Sequence, residues 1–468
     1  MEKEIISVGI DIGTTTTQLI FSRLYIQNTA STFLIPEVKI TKKELIYKSN
    51  IYFTPLLPDD KIDLIKVKTI LSLEYNKANI NKEDISTGAV IITGETARKE
   101  NAEEVLSSLS EFAGDFVIAT AGPDLEGILA GFGAGAAETS KNLTAKILNF
   151  DVGGGTTNAA VFWEEEAIDA YALNIGGRLV KFDESGSITY ISFKIQSLLS
   201  NLNINLKLGI KPKFEDLKKL TDVFAKIFLQ LADDVYLNDN AEKLFINHKN
   251  KPIKTDFVSF SGGVAEFIYN DICINNLQDV IRYGDIGPLL GYSIRKAFET
   301  SNFKLLNPSE KIRATVIGAG SHSIKISGST VIFDSDVLPI KNIPIVKLFS
   351  EIENLNNMYE LITGKIKPFE DLAVALAFKG PKSPSYLQVK AMAEDISKAL
   401  YDYSYPIIII VENDFAKALG LTIKNIVKAS KPVICLDNIK VLNGDYIDIG
   451  NPVAGVVPVV VKTLIFKN

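Results

Sequence analysis

The residues best suited to chemistry form a glycine-rich turn within residues 147–162. Asp151 ends an apolar strand, three glycines follow, and two threonines open a second apolar strand. Consecutive glycines let a ligand approach the backbone, and their N–H groups and the threonine hydroxyls suit phosphate oxygens. The Asp151 carboxylate is a ligand type that Mg²⁺ prefers, although a tight hairpin with aspartate as turn former fits the same residues equally well. The candidate phosphate contacts are Gly153, Gly154, Gly155, Thr156 and Thr157.

A second stretch, residues 8–21, repeats this order of strand, aspartate, glycine, threonines and strand. Two such hairpins can face each other across a cleft and hold a triphosphate from both sides. We therefore favour the nucleotide interpretation, with Asp11 and Asp151 as the catalytic and metal-binding carboxylates. The candidate phosphate contacts in this second stretch are Gly13, Thr14, Thr15 and Thr16.

The elements that must position these loops belong to a large globular protein. The chain has 468 residues, of which 46% are hydrophobic and 23% charged, enough for about two to four domains. A formal charge of −6 without a basic tract argues against nucleic acid and anionic membranes as partners. Cys273 and Cys435 form no metal-type pair, which fits a reducing compartment. We expect no signal peptide and a cytoplasmic location.

Glycine patterns predict two helices and a further loop at the site. A helix that starts near Pro123 has glycines spaced by four, at 127, 131 and 135, and a second candidate at 285–294 has glycines at 287 and 291. We expect these two helices to cross closely, because glycine inside a helix is costly unless another backbone approaches it. A strand at 256–261 leads through two glycines into a helix, a setting that accepts nucleotide phosphate or ribose. Its candidate nucleotide contacts are Gly262, Gly263 and Val264.

The remaining patterns divide the chain into three regions. Residues 1–145 contain the first aspartate hairpin, at Asp11, and residues 146–300 contain the hairpin at Asp151. Residues 301–468 are expected to form an additional α/β region. In that region, residues 313–322 and 328–333 read as paired strands, residues 385–400 and 415–429 as helices, and residues 406–411 as a buried strand. The valine-rich tail predicts a buried terminal strand.

The two aspartate loops resemble those of the actin, sugar-kinase and heat-shock-chaperone ATPase superfamily, whose patterns are Asp-x-Gly-Thr-Thr and Asp-x-Gly-Gly-Gly-Thr. The resemblance implies an α/β, actin-like ATPase fold in which two related halves, residues 1–145 and 146–300, enclose a nucleotide cleft. It implies a small outer subdomain inserted in the first half between residues 24 and 92, and an adenosine loop in the second half at the glycines 262 and 263. It also implies ATP or ADP with Mg²⁺ as ligands, and a crossing of two helices at the hinge between the halves.

A more specific resemblance covers nearly the whole chain. Residues 7–21, 93–95, 121–123, 174–178, 313–330 and 444–466 together are similar to the ethanolamine ammonia-lyase reactivating factor family. This resemblance implies an ATP-dependent, chaperone-like protein. Its partner would be the adenosylcobalamin-dependent lyase, from which damaged cobalamin leaves in exchange for intact cofactor. It further implies association with the ethanolamine microcompartment.

Two sequence features bear on that mechanism. His248 and His322 are the two histidines, and neither lies in an Asp-x-His-x-x-Gly setting, so we expect cobalamin to stay on the partner.

Chaperone relatives carry Asn-Glu-Pro where this chain has Ala-Gly-Pro at 121–123, so Gly122 replaces the usual glutamate. Asp124 or Glu126 could orient the attacking water instead, although both also suit a helix N-terminus as favourable charges. We expect slow intrinsic ATP hydrolysis. An actin-fold small-molecule kinase and a non-catalytic actin-like assembly protein remain alternatives.

Overall fold

The structure is a computed structural model of the chain. It describes residues 3–13, 16–28, 38–57, 61–93, 101–109, 112, 118–120, 123–246, 248, 253–322, 325–326, 331–348, 358–369, 372–441, 445–452 and 457–462.

The first half is built on one mixed sheet with the strand order β3-β2-β1-β5-β6, and β4 pairs with β2. The first three strands are antiparallel, whereas β5 and β6 run parallel to β1. The strands are β1 (Lys3–Ile12), β2 (Thr16–Asn28), β3 (Val38–Lys48), β4 (Tyr52–Phe53), β5 (Ile85–Ile92) and β6 (Ile118–Thr120). The helices are α1 (Leu64–Ala78), α2 (Ala102–Leu109), α3 (Pro123–Gly133) and α4 (Ala136–Leu143).

The region expected as a small inserted subdomain pairs with and packs on this sheet in its described part, and the subdomain itself stays a prediction. Strand β3 pairs with β2 along its length. Helix α1 places Val67, Leu71 and Tyr75 in the same apolar core as Val8 and Val90 of the central strands. The described residues between 38 and 92 are therefore part of the sheet and its covering layer.

The second half repeats the topology of the first. Its sheet has the order β13-β12-β7-β8-β9, with β7, β8 and β9 antiparallel and β12 and β13 parallel to β7. Two halves with one strand order confirm the predicted α/β, actin-like fold. The strands of this sheet are β7 (Ile147–Val152), β8 (Thr157–Trp163), β9 (Glu166–Leu173), β12 (Phe257–Ser261) and β13 (Lys304–Leu306).

An insertion between β9 and β12 carries a hairpin and several helices. Its amphipathic helix α6 packs on α10 and closes the core of the second half. The hairpin consists of β10 (Val180–Phe182) and β11 (Ile188–Ile191). The helices are α5 (Gln196–Asn201), α6 (Phe214–Ala232) and α7 (Asp239–Glu242), followed after β12 by α8 (Ala265–Tyr269), α9 (Leu277–Ile281), α10 (Gly287–Glu299) and α11 (Ala314–His322).

The helix that follows the last strand of each sheet packs on the sheet of the other half. Helix α3 follows β6 but lies against β7, β8 and β9, whereas α11 follows β13 but lies against β1, β2 and β5. The two helices cross in backbone contact: a Cβ on Gly133 would overlap the carbonyl oxygen of Ala314, and one on Gly318 would overlap that of Leu129. The two halves are therefore joined at a glycine crossing.

This crossing corrects two predictions. The predicted partner of α3 was α10, but α10 packs on α6 and α8, and Gly131 faces the ring of Phe162 rather than a helix. The real partner is α11, at residues predicted as a strand. The prediction of a strand was wrong because a short apolar run does not separate strand from buried helix by periodicity. Helix geometry places Ala314 and Gly318 four residues apart on one face, where they meet α3.

The C-terminal region forms a seven-stranded sheet with the order β14-β20-β19-β15-β16-β17-β18. Strands β15 to β18 are parallel and are connected by α12, α13 and α14, whereas β19 and β20 are antiparallel. The predicted helices and buried strand are present, and the terminal strand lies inside the sheet between β14 and β19. The elements are β14 (Lys325–Ile326), β15 (Ile340–Lys347), α12 (Met358–Ile366), β16 (Ala375–Phe378), α13 (Tyr386–Ala399), β17 (Ile407–Val411), α14 (Ala416–Val427), β18 (Val433–Leu436), β19 (Tyr446–Ile449) and β20 (Pro458–Lys462).

The division of the chain at residues 145 and 300 stays a prediction. Strand β13 and helix α11 follow residue 300, yet β13 pairs with β12 and α11 covers the first sheet. Residues 328–330 of the second expected strand lie outside the described residues, and Ile332 makes an isolated bridge to Cys435.

Candidate active site

A cleft of about 590 Å³ lies between the two halves and collects most of the predicted residues. Its wall is formed in part by the ends of strands β1 and β7, by the turns that follow these strands, and by the start of α11. The predicted residues that line it are Asp11, Gly13, Thr16, Glu126, Asp151, Gly153, Gly154, Gly155, Thr156, Gly262, Gly263 and Val264.

Asp11 lies near the end of β1, on the floor of the cleft. Its side chain is 8% exposed, and Thr93 Oγ1 donates a hydrogen bond to Asp11 Oδ1 at 2.9 Å. Burial raises the pKa of Asp11 to about 7; the nearby Asp151 charge adds to the rise and the Thr93 hydrogen bond opposes it. A positive ion beside Asp11 would remove this penalty.

Asp151 occupies the corresponding position on β7. Its side chain is 6% exposed; Ser261 Oγ donates to Oδ1 at 2.6 Å, and Thr315 Oγ1 of α11 lies 3.4 Å from Oδ2. Burial raises the pKa of Asp151 to about 6, against the lowering effect of the hydrogen bonds from Ser261 and Thr315. Each half thus places a buried carboxyl group near the end of the equivalent strand of its sheet.

A buried polar chain behind Asp151 fixes the direction of its hydrogen bonds. Ser259 Oγ donates to Asn149 Oδ1 at 2.9 Å, and Asn149 Nδ2 lies 3.0 Å from Ser261 Oγ. Because Ser261 accepts from the amide, its single hydroxyl proton is left for Asp151. The register of parallel β7 and β12 creates this chain, since Ser259 pairs with Asn149 and Ser261 with Asp151.

The turn after β7 presents N–H groups to the cleft. The carbonyls of Gly153 and Gly154 accept hydrogen bonds from the N–H groups of Gly177 and Arg178, at 3.0 and 2.6 Å. Because the peptide unit is planar and trans, the N–H groups of Gly154 and Gly155 point the opposite way. Within the described part of the chain these two N–H groups donate to no other group. They are available to an anion.

In the other two predicted loops, some backbone N–H groups are already used in hydrogen bonds within the protein. In the first, Gly13 N–H donates to Thr16 O at 2.9 Å, whereas Thr14 and Thr15 lie outside the described residues. In the loop after β12, Gly262 has a positive φ of 83° and lies against the backbone of Val152. Val264 N–H donates to Val152 O at 3.2 Å, so Val264 contributes wall rather than a donor.

Two predicted residues lie away from the cleft lining. Thr157 is fully buried and its hydroxyl donates to Ile175 O at 2.8 Å. Thr157 begins β8 and does not line the cleft, whereas Thr156, in the turn before it, does. On the first turn of α3, Glu126 lines the cleft and Asp124 does not. Gly122 lies outside the described residues.

The charge of the lining indicates how an anionic ligand must bind. Arg178 is the basic residue among the described lining residues, and its Nε lies 3.3 Å from Asp285 Oδ2. The carboxylates that line the cleft are Asp11, Glu126, Asp151, Glu266 and Asp285. Because these carboxylates repel a polyanion such as a triphosphate, the polyanion needs a bound cation to neutralise part of its charge in this cleft.

The donor set fits Mg²⁺. Among the described residues no group of three or more His, Cys, Asp or Glu side chains is arranged to hold a metal. Asp11 and Asp151 can supply carboxylate oxygens, with water and phosphate completing the ligands, which is how Mg²⁺ is usually bound.

Sequence reasoning missed the partners of the two aspartates. Asn149 interrupts an otherwise apolar strand, and Ser259 and Ser261 alternate with Val258 and Phe260 in another. Polar residues at period-two spacing in a buried strand were the available signal. Thr93 and Thr315 gave no such signal, because they reach the site from elements distant in sequence. Gln18 lies in the first hairpin itself, where its antiparallel register with Asp11 was the available signal.

The full length of the chain matches one family. A family model described as ethanolamine utilisation protein EutA covers residues 3–467. The chain belongs to the EutA family. It is 33% identical over 473 residues to ethanolamine ammonia-lyase reactivase EutA of Salmonella typhimurium LT2, with 100% of this chain and 99% of that protein covered. The Escherichia coli K12 protein of the same name is 34% identical over 481 residues, with the same coverage.

Among solved structures, an Aquifex aeolicus member of the Ppx/GppA family aligns with a TM-score of 0.41 and 14% identity, covering 68% of this EutA-family chain and 97% of that chain. Within the described residues, no helix has both the length and the apolar character that crossing a bilayer requires.

Proposed function

We propose that this EutA-family chain is an ATP-dependent reactivating factor for adenosylcobalamin-dependent ethanolamine ammonia-lyase. It would promote the exchange of damaged cobalamin for intact cofactor on the lyase, without holding cobalamin itself. Both full-length relatives are named as reactivases of that enzyme, which favours this function over a small-molecule kinase or an assembly protein. We place it in the cytoplasm, in association with the ethanolamine microcompartment.

One observation carries the nucleotide part of the proposal. Asp11 and Asp151 lie at equivalent strand ends of two halves with one topology, and both line one cleft. Duplicated hairpins that face each other can hold the phosphates of ATP or ADP from both sides. The outward N–H groups of Gly154 and Gly155 would donate to phosphate oxygens, as backbone anion sites do.

Asp11 and Asp151 would hold hydrated Mg²⁺. When bound, Mg²⁺ supplies positive charge that neutralises the phosphates and stabilises charge developing in phosphoryl transfer. Thr93 and Ser261 orient the two carboxylates by donating to one oxygen of each. The other oxygen of Asp11 is left for the ion and its water, and Asp151 Oδ2, which Thr315 Oγ1 approaches at 3.4 Å, keeps a second lone pair for them.

Glu126 is our candidate for orienting the attacking water, because it lines the cleft on the first turn of α3. The helix that carries Glu126 also makes the crossing with α11. A change in the separation of the halves would therefore move Glu126 relative to the phosphates. This arrangement suits hydrolysis that is slow until a partner closes the cleft.

Helix α11 would transmit a conformational change from the nucleotide cleft to the surface that binds the partner. The segment before α11 contacts both halves, since Arg313 Nη2 donates to Ser49 O at 3.1 Å and Lys311 O accepts from Gly262 N–H at 3.0 Å. Helix α11 then leads into the C-terminal region. If the halves exchange between an open and a closed conformation, a nucleotide shifts this equilibrium only as far as its affinities for the two conformations differ.

Reactivation of the lyase tests the function. Lyase holding damaged cobalamin is incubated with the protein, Mg-ATP and intact adenosylcobalamin, and recovery of ethanolamine deamination is measured. We expect recovery with ATP and little recovery without nucleotide. Unchanged recovery when nucleotide is omitted contradicts an ATP-dependent factor, and no recovery under any condition contradicts the reactivase.

Asp151→Asn tests the cleft separately. We expect this variant to fold and to lose Mg²⁺-dependent nucleotide affinity by at least about tenfold, the lower range for disturbing a metal ligand's environment. Calorimetry with ATP, with Mg²⁺ and with EDTA, measures the loss. Equal affinities of variant and wild type in Mg²⁺ would rule out this cleft as the Mg-nucleotide site.

A further inference from the structure

Gln18 is a buried amide at the cleft that the proposed mechanism does not use. It lies on β2 directly opposite Asp11 in the antiparallel register, so both side chains are on one face of the sheet. Gln18 is 3% exposed and lines the cleft. Its Oε1 is enclosed and meets no hydrogen-bond donor within the described structure.

The orientation of this amide is set by its nitrogen. Gln18 Nε2 lies 3.4 Å from both Thr16 Oγ1 and the carbonyl oxygen of Ile312. A carbonyl oxygen only accepts hydrogen bonds, so the nitrogen end must be the end that faces Ile312. The acceptor Oε1 is therefore held at the other end of the amide, on the sheet face shared with Asp11.

The chemistry of Oε1 determines what it can recognise. A buried acceptor without a donor carries a free-energy penalty. Phosphate oxygens would not relieve this penalty, since they are acceptors too. A water molecule bound to a cation would, because it must donate its protons outward. The second half has a similar arrangement, with Asn158 opposite Asp151 in register and also lining the cleft.

We propose that Gln18 positions hydrated magnesium, its Oε1 accepting a hydrogen bond from a metal-bound water beside Asp11. This inference rests on the proposed nucleotide cleft and deepens it, because it assigns Gln18 to the cation rather than to the phosphates. Gln18 is a positioning residue in this role.

The test compares ATP affinity in Mg²⁺ with ATP affinity in EDTA, by calorimetry, for Gln18→Met and wild type. The ratio of the two affinities is the enhancement due to Mg²⁺. We expect Gln18→Met to lower this ratio on the order of tenfold, the effect of losing one favourable hydrogen bond, and to leave the affinity in EDTA unchanged. Gln18→Glu keeps an acceptor and adds a negative charge, so it should not lower the ratio. Gln18→Leu replaces Gln18→Met if that variant does not fold.

Thr87→Val is the matched control. Thr87 lies on β5 of the same sheet, is 0% exposed, and its Oγ1 also lacks a donor or acceptor among the described residues. Unlike Gln18, it does not line the cleft. Removing its hydroxyl should therefore leave the Mg²⁺ enhancement as in wild type.

The outcomes separate the inference from the proposed function. A wild type that shows Mg²⁺ enhancement while Gln18→Met and Gln18→Leu keep the same ratio overturns the role of Gln18 alone. Equal losses in Mg²⁺ and in EDTA also overturn it, because Gln18 would then contact the nucleotide or support the fold. A wild type without Mg²⁺-dependent binding overturns the nucleotide cleft, and this inference with it.

Discussion

The buried carboxyls of Asp11 and Asp151 make the metal-free protein sensitive to pH. Their pKa values are raised to about 7 and about 6 from an ordinary value of 3.8. Between these limits the folded state holds protons that the unfolded chain has released, so the free energy of unfolding falls as pH rises. The contribution is fully present below about pH 4 and is lost as pH rises through about 7.

Asp11→Asn measures this contribution. We expect the variant to be more stable relative to wild type at about pH 8 than at about pH 5, in EDTA, because the asparagine has no charge to bury. Urea denaturation at both pH values gives the difference. Mg-ATP should reduce it by supplying the missing positive charge. A stability difference that is independent of pH would show that Asp11 does not titrate in this range.

Glu126 and Asp124 provide a matched pair on one helical turn. We expect Glu126→Gln to slow ATP hydrolysis in the presence of inactivated lyase by roughly a hundredfold, the lower range for losing a positioned acid–base group. Asp124→Asn should have little effect, because Asp124 does not line the cleft. Phosphate release at saturating Mg-ATP measures both. Equal rates for Glu126→Gln and wild type would exclude Glu126 as the water-orienting group.

At the scale of elements, the crossing of α3 and α11 depends on the absence of side chains. Gly318→Ala would place a Cβ against the carbonyl oxygen of Leu129, so we expect a loss of about 1–3 kcal/mol in the free energy of unfolding. Gly364→Ala is the matched control in the exposed face of α12, where a Cβ meets nothing within 4 Å. That change should stabilise by about 0.5–1 kcal/mol. Equal effects in urea denaturation would contradict a tight crossing.

At the scale of the whole molecule, the C-terminal sheet should be required for action on the lyase. A fragment ending at Thr300 would lack β13, an edge strand of the second sheet, and α11, which covers the first sheet. A fragment ending at His322 keeps them. We expect this longer fragment to bind Mg-ATP and to fail in reactivation. Circular dichroism first establishes that it folds, and deamination assays then measure rescue. Normal rescue by a folded fragment would show that the C-terminal sheet does not engage the lyase.

Local sequence determined the two aspartate hairpins, the long amphipathic helices and the buried strands. Asp11 and Asp151 were found because strand, turn and strand are encoded within about fifteen neighbouring residues each. Helices such as α6 were found because an apolar face at helical spacing is also a local property. Such signals require no knowledge of what the segment packs against.

Tertiary structure decided which elements meet. Residues 314–322 form a helix because small residues at 314 and 318 let the backbone pack on α3, a contact across nearly 200 residues of sequence that periodicity does not encode. The pairing of β12 with β7 decided that Ser261 meets Asp151, from which it is separated by 110 residues of sequence. The identity of the loops was local, but the environment of each carboxylate came from segments distant in the chain, because pairing and packing join residues that sequence separates.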